Sequence, residues 1–366
     1  MVLKNYWWQL IWLFLFGGVS LAFIPKREEI VLGKPVQRWG KLSAAALALP
    51  YVIWAAWRTD IYGDTLQYRT TFLSMPTGLS NLLPYMRENT KGPAFVVFRY
   101  LLKTFVSHSD VVYFLIVALI QIILLVYFFR KYSNSFWFSM FLFVASTDYM
   151  SWMHNGTRQF LAVTIIMACV PLILRKKRFA MCIVVLLCAL IHSSALIFLP
   201  FIFVIDGKAY NGRTLLFIFA LIISIIFIDK ITGFIVQSME DTAYEGDIDI
   251  FLKDDGTNIF RVLFYSVPAI MSWIFRERID RAEDPMINLC ANLSVITAGV
   301  YVFSYFTSGI LVGALPIYFS LANYILIPWM IKELFTAESA LLIQGGFVAV
   351  YSFFFYYQMG ETWHLL

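Results

Sequence analysis

From Val111 to Phe129 the chain carries no charged side chain. A bilayer core of about 30 Å asks for such a stretch, roughly 20 apolar residues rising 1.5 Å each in a helix. Further apolar runs fall at about 5–24, 42–57, 135–151, 157–174, 214–228, 260–275, 286–308, 310–331 and 339–357. A water-soluble fold has no means of covering this much hydrocarbon. Of the 366 residues 60% are hydrophobic and 14% charged, against about 45–50% and roughly 25% in soluble domains. Thirty-five phenylalanines also exclude a disordered, collagen-like or coiled-coil chain. The sequence predicts an all-α, polytopic integral membrane protein: one transmembrane domain over residues 1–366, with about ten spanning helices.

The net charge of +5 suits basic cytoplasmic loops and gives no reason to expect nucleic acid. Cys169, Cys182, Cys188 and Cys290 lie inside apolar runs and read as small core residues rather than disulfides or metal ligands. The first apolar run lacks a basic leader and a small-residue cleavage site, so it is expected to be a retained helix.

Lys and Arg in short loops mark the cytoplasmic side. Lys26, Arg27, Lys34, Arg38 and Lys41 place the first connection inside, as do Arg130 with Lys131, Arg175–Arg178, Arg276–Arg281 and Lys332. Both termini then lie outside. Because Lys208 and Arg213 also read as internal, the stretch 179–205 must enter and leave on one face. Each arm has about 13 residues, roughly 20 Å of helix, too short to cross. The polar break Ile191-His192-Ser193-Ser194 predicts a broken, re-entrant helix pair with His192 at its tip. The alternative is one tilted helix of 27 residues, which would invert every later orientation. Two external segments follow: a loop over 58–109 with interfacial helices, including 93–105, and an acidic loop over 229–258.

Ionisable residues at the mouth of a membrane bundle are costly and become functional candidates. Arg158, in Asn155-Gly156-Thr157-Arg158-Gln159, opens an apolar helix where dipole and free N–H groups favour an anion. A phosphate or carboxylate ligand would account for a cation there; so would pairing with Asp148 or Asp64. Arg58 follows the second helix and could grip phosphate with its planar fork. Asp64 and Tyr68 share one face if that segment is helical. Asp64 could take a proton, hold a sugar hydroxyl or orient Arg58. Arg99 and Lys103, one turn apart, extend a positive surface towards a pyrophosphate or lipid headgroups. His192 could serve as a general base or cap the broken helix. The acidic loop offers Asp247, Asp249, Asp254 and Asp255 as oxygen ligands, but their spacing follows no calcium-loop pattern. No metal site is assigned. P-loop, dinucleotide, HExxH and GxSxG motifs are absent.

Three stretches in order carry a family resemblance: Arg58…Gly63-Asp64…Tyr68…Phe72, Thr157-Arg158-Gln159-Phe160-Leu161-Ala162 ahead of Arg175–Arg178, and Ala189-Leu190-Ile191-His192-Ser193-Ser194. Over roughly 58–200 the chain resembles the EpsG-type family of bacterial membrane proteins, related to Wzy-type polysaccharide polymerases. The resemblance implies a GT-C-like architecture and a glycosyltransferase of the bacterial plasma membrane with its site facing outward. Its implied activity is joining undecaprenyl-diphosphate-linked oligosaccharide repeat units, with a chain-length regulator as protein partner and no nucleic acid. A single-transfer ligase using the same donor, or a flippase, are the alternatives. The donor arrives activated, so no cofactor is called for. On this reading Arg58, Arg158, Arg99 and Lys103 hold the diphosphate. Tyr68 and Gln159 contact glycan, and Asp64 or His192 is the base. Where relatives often carry an Arg, Gly313–Phe319 has none; Arg261 or Arg99 then substitutes, or the substrate sits differently.

Overall fold

The computed structural model describes residues 6–239, 248–253 and 255–366. They are predominantly helical and group into two compact units. The first comprises residues 1–168, 187–193 and 328–366, the second 169–186 and 194–327.

In the first unit, α1 (Trp8–Phe23) leads into an antiparallel hairpin of β1 (Lys26–Val31) and β2 (Lys34–Trp39), with Lys26 opposite Trp39. Its turn, Leu32-Gly33, has positive φ at both positions, 50° and 81°, as tight hairpins require. In sequence this segment reads only as a basic connection. α2 (Lys41–Ala56) climbs away from the hairpin, and α6 (Asp110–Tyr132), packed along it, returns. At the near end Arg130 pairs with Glu29 and donates to the Trp39 carbonyl at 2.7 Å, and Arg38 donates to Lys131 O at 3.1 Å. At the far end, about 34 Å away along α6, Arg69 holds Asp110 (2.6 Å) and Asp60. Between α2 and α6 in sequence lie α3 (Thr65–Ser74), α4 (Leu82–Glu88) and α5 (Pro93–Phe105). Phe72, Phe95, Tyr100, Tyr113, Phe114 and Leu161 form the core beneath them. Then α7 (Phe136–Ala145) passes through a π-helical segment, Tyr149–Asn155, into α8 (Thr157–Cys169).

In the second unit Asn292, fully buried on the helix Pro285–Tyr305, saturates its amide with Ile205 O, Lys208 O, Tyr210 N–H and the Thr214 hydroxyl. A polar side chain in an apolar helix is tolerable only when satisfied in this way.

Among the described residues four helices are long and apolar enough to cross a bilayer: Asp110–Tyr132, Thr157–Leu174, Pro285–Tyr305 and Ala337–Thr362. Two bent pairs, Gly212–Ile226 with Ile228–Phe234 (91°) and Ile259–Ile274 with Arg276–Ala282 (68°), raise this to six if each counts as one span. Shorter helices account for the difference from the ten runs read in sequence. Trp8–Ser20 and Lys41–Ala56 stop short of the required length. The run 310–331 breaks into turns, the short helix Ile317–Ser320 and the helix Asn323–Leu334. In the acidic segment, residues 240–247 and 254 lie outside the described residues, Asp247 and Asp254 among them.

The stretch 179–205 is not one helix. Arg178–Ala189 ends, a turn follows at 190–192, and Ser193–Ile197 and Phe198–Val204 continue. Asp206 beyond it bonds Lys176 Nζ (2.7 Å) and Arg178 Nε (2.8 Å) ahead of it. A continuous helix of 27 residues would hold those ends about 40 Å apart. Burial pushes the Asp206 carboxyl up, and the hydrogen bonds from Lys176 and Arg178 more than reverse this, leaving it below its ordinary range. The stabilisation is therefore present above the unfolded value of about 4 and lost as pH falls through the lower folded value. Asp206→Asn is expected to melt earlier than the parent protein at pH 7. Thermal scans in detergent over a pH series should show that gap closing below about pH 4.

Candidate active site

At the end of the first unit remote from the hairpin, three short stretches meet the start of α8. The first is the turn into α3. Tyr68 N–H donates to Asp64 O at 3.0 Å, so the segment is helical and the two side chains stand one turn apart on one face. Asn155, ending the π-helical segment, accepts the Asp64 N–H at 2.9 Å. Gly63 makes that contact feasible: its φ is +57°, and a Cβ there would fall 2.5 Å from Asn155 Oδ1.

The second stretch is the loop between α4 and α5. Gly92 has φ +73°, and a Cβ would lie 2.5 Å from the Ile191 carbonyl and 3.4 Å from Arg158 Cδ. Glycine lets the loop slide between the 190–192 turn and Arg158, and Ala94 N–H closes onto Leu190 O at 2.9 Å. The third is α5, which brings in Arg99. Arg158 lies in the first turn of α8, with Nη1 on Lys91 O at 3.1 Å and its backbone N–H directed at the Tyr68 hydroxyl.

These elements enclose a crevice of about 440 Å³ lined by Asp64, Tyr68, Arg99 and Arg158, together with Gln67, Thr71, Glu88, Thr90 and Lys91. Both arginines have a buried Nε with no hydrogen-bond partner among the described residues, and Arg99 otherwise donates to Tyr85 Oη at 3.0 Å. Neither forms an ion pair within 4.0 Å of a described carboxylate. A buried N–H left unbonded costs about 1–3 kcal/mol, a cost an anionic ligand would remove. Partial burial raises the Asp64 carboxyl above its usual range despite the opposing charge of Arg158, and burial raises the Tyr68 phenol.

The other residues singled out in the sequence lie elsewhere. Arg58, 3% exposed, faces inward rather than into the crevice. It donates to Ala55 O (2.6 Å), His154 O (3.2 Å) and Thr157 Oγ1 (3.0 Å), with its guanidinium 4.1 Å over the Phe114 ring. Burial lowers its pKa to about 10, so it remains a cation at neutral pH. Lys103 is turned away too: its Nζ holds Leu73 O (2.7 Å) and Met75 O (2.5 Å), carbonyls at the open end of α3. Gln159 is buried beside Arg158 but does not line the crevice, and His192 lies one residue beyond the carbonyl that touches Gly92. Arg261 belongs to the second unit, 5.9 Å over Tyr265. Glu88 and Lys91 line the crevice without having been singled out. The pair Gly92-Pro93, a helix-start signal, was the available clue.

Among the described residues, apolar helices long enough to cross a bilayer fit a multi-pass membrane protein, with this arginine-lined crevice at one end of its first unit. The chain belongs to the EpsG family, whose model matches residues 41–362, every crevice residue included. Comparison with curated proteins and with solved structures finds no match. Membership in this family fits a membrane protein of polysaccharide biosynthesis.

Proposed function

We propose that this protein is a polysaccharide polymerase: a glycosyltransferase that joins oligosaccharide repeat units carried on undecaprenyl diphosphate, at the outer face of the bacterial plasma membrane. About ten crossings in a GT-C-like arrangement follow from the family resemblance, and the loop charges favour the basic hairpin inside and the crevice outside. The observation that carries the reading is the pair Arg99 and Arg158, two guanidinium groups at one crevice whose buried Nε atoms are unbonded and which have no carboxylate partner among the described residues.

In the reaction an acceptor hydroxyl attacks the anomeric carbon of the donor glycan. A new C–O bond forms, the bond to diphosphate oxygen breaks, and the proton passes to a base. Arg158, Arg99 and the N-terminus of α8 stabilise the charge gathering on the departing lipid diphosphate. Asp64 is the base within the crevice, and His192, behind the Gly92 loop, is the other candidate. Tyr68 offers a ring for sugar stacking. Arg58, Lys103 and Gln159 act through the frame that presents these groups. The donor is already activated, so the reaction calls for no nucleotide, and the partner implied is a chain-length regulator.

Reconstitution with a lipid-diphosphate repeat unit, with and without EDTA, is expected to yield a ladder in both. A single addition product would instead favour a ligase, and no product at all would reject the reading. If Asp64 is the base, turnover falls as pH drops through its raised carboxyl pKa, since only the ionised form accepts a proton. The acid limb of the rate profile is then expected above the usual aspartate range and absent from Asp64→Asn, whose rate is low throughout.

A further inference from the structure

The first unit holds a second cavity, at its hairpin end, and we propose that it binds the phosphate group of an anionic phospholipid. Its volume is about 490 Å³, and it is walled by the end of α1, by β2 and by the turn joining α6 to α7. Its lining includes the polar Lys26, Arg38 and Ser135 and the apolar Phe14, Trp39 and Trp137. A neighbouring cavity of about 250 Å³ shares Asn134, Ser135 and Gln344 with it and adds Lys332.

Three observations point to an anion with a hydrocarbon tail. The first is charge. Around this end stand Lys26, Arg27, Lys34, Arg38, Lys41, Arg130 and Lys131 against Glu28 and Glu29, and Glu29 is taken by Arg130. The second is the backbone. The two cavities meet at Ser135, directly ahead of the ten-residue α7, whose first N–H groups lack helical partners and carry the positive end of the dipole. Ser20 and Ile24 bring the C-terminal end of α1 to the same cavity, which disfavours an anion; the two cations and the α7 terminus outweigh it. The third is depth. Here apolar α1 gives way to a hairpin with exposed Lys26, Arg27 and Glu28, a change from hydrocarbon-facing to charged surface that marks a headgroup level. Beside the cavity, α1 exposes Phe14, Leu15, Val19 and Phe23, a surface for acyl chains. Soluble phosphate would use only the polar lining residues, whereas a lipid uses the apolar ones as well.

Gly18 keeps the wall open. A Cβ there would meet nothing within 4 Å, so Gly18→Leu fills space at the cavity without removing a charge. Lys26→Gln removes a cation from an exposed strand residue. Thermal unfolding of the full-length protein in neutral detergent tests the site with dioleoyl phosphatidylglycerol, dioleoyl phosphatidylcholine and soluble glycerol phosphate as probes. Phosphatidylglycerol is expected to raise the parent melting temperature by about 5 °C over phosphatidylcholine. Lys26→Gln should roughly halve that shift and Gly18→Leu abolish it, with melting in phosphatidylcholine unchanged. No parent shift, or a full shift in both variants, overturns the proposal. An equal shift from glycerol phosphate overturns the lipid assignment, because no tail would then be needed.

Discussion

Arg158→Ala is expected to leave the protein in the membrane at normal abundance and to cut polymer formation roughly 100-fold or more, so that cells accumulate single repeat units. The folded state loses little by this change. Arg158 is half-buried, and among the described residues its side chain makes one hydrogen bond, Nη1 to Lys91 O, a contact worth about 1 kcal/mol. On the proposed reaction the loss is much larger, because the guanidinium faces the charge developing on the departing diphosphate. Arg158→Lys should recover only part of the rate, since an ammonium cannot offer two parallel N–H groups to a phosphate. Glycan length on gels, read beside membrane abundance, checks both variants. Normal chain length from Arg158→Ala would refute the proposed role.

Hydropathy and helix spacing made part of this site legible. Asp64 and Tyr68 were separated by one helical turn, Arg158 opened an apolar helix, and Arg99 lay on the segment 93–105; all four line the crevice. Less legible was the direction of a cation at a helix end. Arg58 and Lys103 carry the same side-chain chemistry as the crevice cations, but each is turned onto backbone carbonyls: Arg58 onto Ala55 and His154, Lys103 onto Leu73 and Met75. Those acceptors are exposed by the ends of other elements, and spacing along the chain does not encode them. The same holds for Gly63 against Asn155 and Gly92 against Ile191, contacts between residues far apart in the chain. The hairpin is hidden for a different reason: its basic residues read as a topology signal, and the Leu32-Gly33 turn lacks the Asn-Gly or Asp-Gly pair that marks a tight hairpin.

Arg58→Ala should behave in the opposite way to Arg158→Ala, lowering stability by about 2–4 kcal/mol and losing activity only through that loss. Arg58 fastens the end of α2 to the last turn of the π-helical segment and to Thr157, the residue before Arg158. Without it, the Ala55 carbonyl loses the Arg58 donor, the His154 carbonyl is left with the Thr65 hydroxyl alone, and a gap opens beside Phe114. The side chain has no carboxylate partner among its described contacts, so its removal frees no buried anion and the cost is one of packing and lost hydrogen bonds. Arg58→Lys keeps the charge but cannot span Ala55 O and Thr157 Oγ1 together, and should melt between the parent and the alanine variant. Two measurements separate positioning from binding: melting temperature in detergent, and donor affinity at a temperature where all variants are folded. Positioning lowers the first for Arg58→Ala and moves the second far less than Arg158→Ala does. An Arg58→Ala protein that melts normally yet cannot bind lipid diphosphate would return Arg58 to the substrate.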